Sequence, residues 1–304
     1  VAKWQSGKVA KMKTEFFTYQ CKNMGQCFTC LKEDDIHVAL KFPHGTDGIM
    51  FDSGVGFIPC DINEWIRALY KKHEWTEWIA YNDETGAFGN NQHKKGHCKG
   101  IIAWNTERIS WLIHSVPNFP REFTGKTISD IEPSECIYGQ SFVFTTVPFT
   151  VDMLKRILTQ VHFMEAHVFL QHTLYALPIA IKSNEFSKIK LSESMTHIAK
   201  PPSLHMDIYE ELVLDHSSKW QVQTWKRGHP LDPSNVIVDI ENMGYTTTEW
   251  KCSQDHSKWA VNALDVCWIG DLNRMSSQAN RGGGGLVIRH PALANGLREL
   301  IKNA

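Results

Sequence analysis

HCKGIIAWNTERISWLIH, residues 97 to 114, starts with a histidine and a lysine one residue apart and ends in a second histidine after two apolar runs. GIIAW (100 to 104) and WLIHSV (111 to 116) are short and rich in β-branched and aromatic side chains, which predicts two strands. The polar groups then fall at strand ends: His97 and Lys99 lead the first strand, and His114 closes the second. HSKWAVNALDVCWIGDLN, residues 256 to 273, has the same layout. His256 and Lys258 come first, the apolar strand VCWIG (266 to 270) follows, and Asn273 stands seventeen residues beyond His256, as His114 does beyond His97.

About one His-x-Lys triplet is expected by chance in a chain of this composition, so the shared context gives the pair its weight. A third triplet, His93-Lys94-Lys95, has Ser110 at the seventeen-residue offset, before a strand instead of after one, and is not a member of the repeat. The two retained copies lie 159 residues apart, close to half of the 304-residue chain. That separation predicts two similar lobes facing each other across a pseudo-twofold axis.

Working outward, IHVALKF (36 to 42), EWIAYN (77 to 82) and SFVFTTVPF (141 to 149) read as strands. A helix opens at Asp61, which caps it with Glu64 completing a capping box, and carries Trp65, Ile66, Leu69 and Tyr70 on one face. A second opens at Asp152, with Met153, Ile157, Leu158 and Val161 aligned. The later half repeats the style, with a helix around Leu204 to Leu214, strands at WQVQTW (220 to 225) and VIVDI (236 to 240), and a closing helix from Pro291. Interleaved strands and helices predict an α/β fold with a covered sheet. RGGGG (281 to 285) reads as a loop, either plain or allowing close backbone approach to a phosphate. Residues 1 to 29, polar and lysine-rich, read as an extension, which divides the chain into 1 to 29, 30 to 150 and 151 to 304.

With 42% hydrophobic residues and 11 tryptophans, the chain can bury a large core as one domain or two fused lobes. No run of eighteen apolar residues occurs, and VAKWQSGKVAKMK at the N-terminus lacks the apolar stretch and cleavage site of a secretory signal. The expectation is a soluble chain in mature form, with no membrane partner. A formal net charge of −1 argues against a constitutive polyanion binder at neutral pH. Fifteen histidines, if all protonated, would carry that charge to +14 in acid; the alternative is that many are buried packing residues. Eight dispersed cysteines, at 21, 27, 30, 60, 98, 136, 252 and 267, favour disulfides in an oxidising compartment, and the Cys27-x-x-Cys30 pair standing alone is a weak signal for redox or zinc chemistry.

His-x-Lys followed at seventeen residues by Asn in Gly270-Asp271-Leu272-Asn273 resembles the half-site of the phospholipase D superfamily. More narrowly, HCKG (97 to 100), HSVPNFP (114 to 120), CIYGQSF (136 to 142), DHSKW (255 to 259), GDLNR (270 to 274) and RGGG (281 to 284) resemble deoxyribonuclease II in order and spacing, over about residues 30 to 304. The resemblance implies a phospholipase D-like α/β fold, with two pseudo-symmetric sheet-and-helix lobes in one chain and the active site at their interface. It implies a metal-independent acid endonuclease acting on double-stranded DNA, with no cofactor, in a secreted or lysosomal setting. The rival reading is a secreted pseudonuclease that binds polyanions or a host partner. A lipid-cleaving relative is weaker, because HSVPNFP and DHSKW point to the nuclease branch. One chain suffices for a complete site, and a homodimer would extend the clamp on the duplex.

Cleaving a phosphodiester without metal needs a nucleophile, an acid for the departing alkoxide and cations around the phosphoryl oxygens. The resemblance implies that one of His97 and His256 attacks phosphorus to form a phosphohistidine while the other protonates the 5′ oxygen, leaving a 3′-phosphate end. The sequence does not say which attacks. Lys99 and Lys258 would hold non-bridging oxygens, with His114 and Asn273 as further donors. His93 and His97 have the i, i+4 spacing of a zinc pair, but Gly96 between them argues against a helix there. Cys98 points away from its neighbours on extended backbone and reads as packed or disulfide-bonded. Lys94 and Lys95 read as phosphate-backbone contacts or as a solvated charge run. The chain departs from the family at Asn105, where an aspartate is expected, and at Ala260, where a cysteine is usual. The second departure suggests a rearranged Cys252 to Cys267 pairing. No glycosylation sequon is present.

Overall fold

A computed structural model of the chain describes residues 36–85, 94–176, 183–226, 231 and 234–304. The expected extension with Cys21 and Cys27, together with Cys30 and His93, lies outside the described residues.

The first half forms β1 (His37–Lys41), β2 (Asp47–Asp52), β3 (Gly56–Asp61), α1 (Ile62–Lys71), β4 (Glu77–Asn82), β5 (Lys99–Trp104), β6 (Arg108–His114), β7 (Gln140–Pro148), α2 (Val151–Phe163) and β8 (Val168–His172). Its strands make an eight-stranded antiparallel sheet in the order β3-β2-β1-β7-β6-β5-β4-β8. β8, which follows residue 150 in the chain, closes the edge of this sheet against β4. The second half forms β9 (Ser187–Lys190), β10 (Met195–Lys200), α3 (Ile208–His216), β11 (Trp220–Gln223), β12 (Ile237–Asp239), β13 (Asn242–Tyr245), β14 (Thr248–Lys251), β15 (Trp259–Asn262), β16 (Val266–Gly270), α4 (Ser276–Ala279), β17 (Gly283–Arg289), α5 (Pro291–Glu299) and β18 (Ile301–Asn303). A seven-stranded sheet runs β12-β11-β15-β16-β17-β10-β9, and β14-β13-β18 make a small third sheet.

The large sheets share one core. Ile102, Trp104, Trp111, Ile113 and Val143 from the first pack in the same cluster as Met195, Trp259, Val261, Ile269 and Leu286 from the second. Alternation along each strand sends the intervening residues to the outer faces. Ala80, Ile101, Ala103 and Leu112 meet the apolar stripe of α1, and Trp220, Val222, Ala260 and Trp268 meet Ile208, Tyr209 and Leu212 of α3. The helix starts follow local chemistry: Asp61 accepts from Glu64 N at 2.9 Å, and Thr150 accepts from Met153 N at 3.0 Å. The fold is mixed α/β, as expected, but dominated by sheet: two large sheets share a core, with few helices outside them.

Several expectations are corrected. The glycine run is not a loop beyond Gly282: Gly283 to Gly285 begin β17, whose backbone runs so close to its neighbours that a Cβ at Gly284 would stand 2.6 Å from Ile198 O and one at Gly285 2.5 Å from Ile269 O. Cys98, Cys136, Cys252 and Cys267 are thiols, so the Cys252 to Cys267 pairing is not formed. Cys267 lies in the common core with its Sγ 3.7 Å from Ile288 O. The large acid charge swing is also reduced. Burial holds His197 down at about 3, and burial likewise lowers His73, His97, His114, His162, His167 and His216.

Candidate active site

Strand register gathers the predicted residues at one end of each sheet. In the first, Asn82 pairs with Lys99 and Gly100 with Ile113, so Asp83, Lys99 and His114 come from three adjacent strand ends. In the second, Gly270 N donates to Lys258 O at 3.0 Å and Asp271 N to Gly284 O at 3.1 Å, which sets Lys258 beside the GDLN turn and the start of β17.

The two ends are bound to each other reciprocally. His97 N donates to Gly282 O, just ahead of β17, and His256 N donates to Gly139 O, just ahead of β7, both at 2.8 Å. Lys258 N adds a bond to Ser141 Oγ at 3.0 Å. Glycine is needed at both receiving positions: a Cβ on Gly282 would stand 2.0 Å from Met164 O, and one on Gly139 2.4 Å from the Asp255 carboxylate carbon. Asp255 is fixed by Trp250 Nε1 and Ser257 N, each 2.7 Å away.

Hydrogen bonds set the imidazole tautomers. His97 Nδ1 lies 2.6 Å from Asp271 O, which can only accept, so Nδ1 carries the proton and neutral His97 presents a lone pair at Nε2. His114 is reversed. Its Nδ1 accepts from Val116 N at 3.2 Å, which puts the proton on Nε2, a buried donor with no partner among the described residues. Burial, then the Lys99 charge, hold both rings well below the ordinary imidazole value, so both are neutral in mild acid. His256 differs: its ring stacks on Tyr138 at 4.1 Å and 11°, with Trp225 tilted against it at 4.2 Å. Asn273 is buried beside the GDLN turn, with its Oδ1 lacking a protein partner.

The lysines have opposite surroundings. Lys99 Nζ is 2.6 Å from Asp83 Oδ1 and 3.6 Å from Glu84 Oε1. Burial works against its charge, but these carboxylates outweigh it and raise Lys99 above its usual value. Asp83 also meets Arg281 Nη2 at 2.7 Å. Burial alone would raise Asp83, yet Lys99, His97 and Arg281 hold it well below the carboxylate range. Lys258 Nζ donates to His256 O at 2.5 Å and, among the described residues, has no carboxylate within ion-pair distance. Burial, then the Lys99 charge, lower it to about 7. Burial raises Asp271 well above its usual value, against the bond from Gly284 N and the Lys99 and Lys258 charges.

Asp83, Glu84 and His97 offer three donor atoms within 4.8 Å of one another. Both Asp83 oxygens are already ion-paired to cationic side chains, so the cluster is an ion-pair network, a poor host for a further cation. His97, Lys99, His114 and Lys258 are close enough to act on one another's charge, His256 joins them through the Lys258 Nζ bond to its carbonyl, and Asn273 follows two residues after Asp271, whose carbonyl holds His97. Sequence reasoning missed Asp83, Glu84, Tyr138 and Trp225. The acidic pair had a usable signal, since it follows directly on the strand EWIAYN beside the Lys99 strand. The aromatic pair had none, because it is assembled from loops of different halves. Cys98 turns into the common core, where burial pushes its thiol well up, and is no nucleophile. Lys94 and Lys95 are exposed, and the Lys95 carbonyl accepts from Arg281 Nε at 3.0 Å. Asn105 is not at the site. It turns the β5–β6 hairpin, its Oδ1 accepting from Glu107 N and Arg108 N at 2.9 Å, just beyond the far end of β5, roughly 20 Å from Lys99 by strand rise.

The chain is similar to known proteins over most of its length. Pig deoxyribonuclease-2-alpha is 29% identical over 262 residues, covering 77% of this chain and 71% of the relative. Rat deoxyribonuclease-2-alpha is 27% identical over 78% of this chain and 75% of its own. Mouse deoxyribonuclease-2-beta is 28% identical over 77% and 73%. The family model for Deoxyribonuclease II matches residues 61–304, which contain every residue of the reciprocal His-x-Lys arrangement, and the chain belongs to that family.

Proposed function

We propose that the chain is an acid endonuclease that hydrolyses phosphodiesters of double-stranded DNA without a metal ion. The observation that carries this is the reciprocal docking of the two His-x-Lys segments, each bonded through its backbone to the strand start of the other sheet. The finer architecture belongs to the same proposal: a phospholipase D-like pair of pseudo-symmetric lobes, 30 to 150 and 151 to 304, with β8 lent to the first sheet and the site between them. One chain carries both halves, so a monomer suffices, and a homodimer would lengthen the DNA-binding face without adding a catalytic group.

His97 Nε2, with its lone pair fixed by the Asp271 carbonyl, attacks phosphorus and forms an N–P bond as the P–O5′ bond breaks. His256, whose ring lies against Tyr138 and Trp225, supplies the proton to the departing 5′ oxygen. Water, giving its proton to the now neutral His256, breaks the N–P bond and leaves a 3′-phosphate end. Lys99 and Lys258 neutralise the non-bridging oxygens, and the Nε2 donor of His114 and the Asn273 amide satisfy the charge that develops there. The cycle requires a neutral His97 and a protonated His256 at its start, and the setting proposed for it is secreted or lysosomal. The pseudonuclease reading loses its main support, because Asn105 serves a hairpin turn remote from these groups.

Plasmid nicking in EDTA tests the proposal. Cutting at pH 5 that exceeds cutting at pH 7.5, and that falls by roughly a thousandfold or more in both His97→Ala and His256→Ala, is expected. Cutting that vanishes in EDTA, or survives both substitutions, refutes it. A parent protein that binds DNA and leaves it intact would be a binding protein instead.

A further inference from the structure

The turn ahead of β17 does more than receive His97. Gly282 O accepts from His97 N at 2.8 Å, and the preceding side chain, Arg281, reaches back along the same segment. Its Nε and Nη2 both donate to Lys95 O, at 3.0 and 2.8 Å, and Nη2 also donates to Asp83 Oδ2 at 2.7 Å. One planar guanidinium from the second half therefore grips both the backbone two residues ahead of the proposed nucleophile and the carboxylate that holds Lys99. The two segments pack too closely to slide. A Cβ on Gly96 would stand 2.1 Å from Met164 O, and one on Gly282 2.0 Å from the same atom. Arg281 is itself fixed, since its backbone N donates to Gln278 O at 3.1 Å and its side chain is only 13% exposed.

Charge gives this contact a second consequence. Asp83 is fully buried with its Oδ1 2.6 Å from Lys99 Nζ, and Glu84 Oε1 lies 3.6 Å from the same nitrogen. Lys99 alone against two carboxylates would leave the corner with a net negative charge, which opposes a phosphodiester. The Arg281 guanidinium, on the other Asp83 oxygen, restores the balance.

We infer that Arg281 is a positioning residue of the nuclease site, which offsets the Asp83 carboxylate so that the corner around Lys99 attracts a phosphodiester, and which holds the His97 segment against the second half. The inference rests on the proposed nuclease reading for its substrate. Arg281 acts through Asp83 and the Lys95 carbonyl and needs no contact with the DNA.

Inorganic sulfate reads the charge without turnover. Calorimetric titration of the full chain at pH 5 compares the parent with Arg281→Gln and with the double variant that adds Asp83→Asn. Arg281→Gln should weaken sulfate binding about tenfold. The double variant, which removes the opposite charge as well and leaves Lys99 facing Glu84, should return to within about twofold of the parent. On DNA its KM should recover likewise, while kcat stays about tenfold low because the fork on Lys95 O is gone. Should the double variant fold poorly, Arg281→Lys keeps the charge and loses the fork. It is expected to hold sulfate within about threefold of the parent and to show the same fall in kcat. A sulfate loss that Asp83→Asn leaves unrepaired, or a kcat that recovers together with KM, overturns the inference. So does a sulfate loss in Arg281→Lys as large as that in Arg281→Gln. A chain that repairs its sulfate affinity in this way and cuts no DNA keeps the charge-balancing role of Arg281 and loses the nuclease reading.

Discussion

The half-site built on β5 and the half-site built on β15 share a His-x-Lys pair, with His114 in one and Asn273 in the other at the same offset, and have opposite electrostatics. Lys99 is embedded in carboxylates with Arg281 close behind, whereas Lys258 stands at about 7 with only a backbone carbonyl to donate to. His97 has its proton pinned by a carbonyl and its lone pair exposed to the site, whereas His256 lies against two aromatic faces. A repeated motif has thus been differentiated by its surroundings, which is the basis of the proposed division into one attacking and one proton-delivering copy.

The strongest test of this contrast is to remove each lysine. Lys99→Met leaves Asp83 and Glu84 without their nearest cation in a buried setting, and should cost about 3 kcal/mol of stability along with nearly all activity. Lys258→Met should lower activity by roughly a hundredfold while leaving stability close to the parent's, since it removes a desolvated charge that lacks a carboxylate partner. Chemical denaturation beside a nicking assay reads both, and equal stability losses would erase the distinction. The sign of the pH effect follows from the lowered value: the Lys258 ammonium is present below about 7 and is lost above it, so phosphate affinity falls as pH rises through that point. Lys258→Arg, charged at all relevant pH, should abolish that fall.

A smaller effect would sharpen the histidine contrast. Tyr138→Leu or Trp225→Leu removes a π face from His256 and should slow cutting by roughly tenfold. A rate unchanged by both substitutions would remove the rings from the mechanism. Smallest of all, Asn105→Ala should cost about 1 kcal/mol through the lost turn bonds and change the rate by less than about threefold, measured by thermal melting and nicking together. A large rate loss would restore Asn105 to the site and break the assignment of the catalytic groups to the opposite end of β5.

Much of the local structure was legible. EWIAYN is β4 and VCWIG is β16 residue for residue, and the helix from Asp61 is capped by the group that reads as its cap, whereas the strand read over 111 to 116 runs Arg108–His114. What misled was composition taken without context. A glycine run reads as a loop because glycine is conformationally permissive, yet at Gly284 and Gly285 it serves close strand approach. Evenly numbered cysteines read as disulfides, yet Cys98 and Cys267 are buried packing groups on inward-facing positions of strands or their lead-ins.

By itself the sequence determined the strand ends that carry histidine, lysine and amide, because alternation and apolar runs are properties of consecutive residues. The tertiary structure alone decided which imidazole nitrogen carries the proton, which lysine is compensated and which carboxylates compensate it. Those depend on groups far apart in the chain: Asp271 for His97, Tyr138 for His256, Asp83 and Glu84 for Lys99. Charge and proton position are set by distance and desolvation, and neither is a function of spacing along a chain.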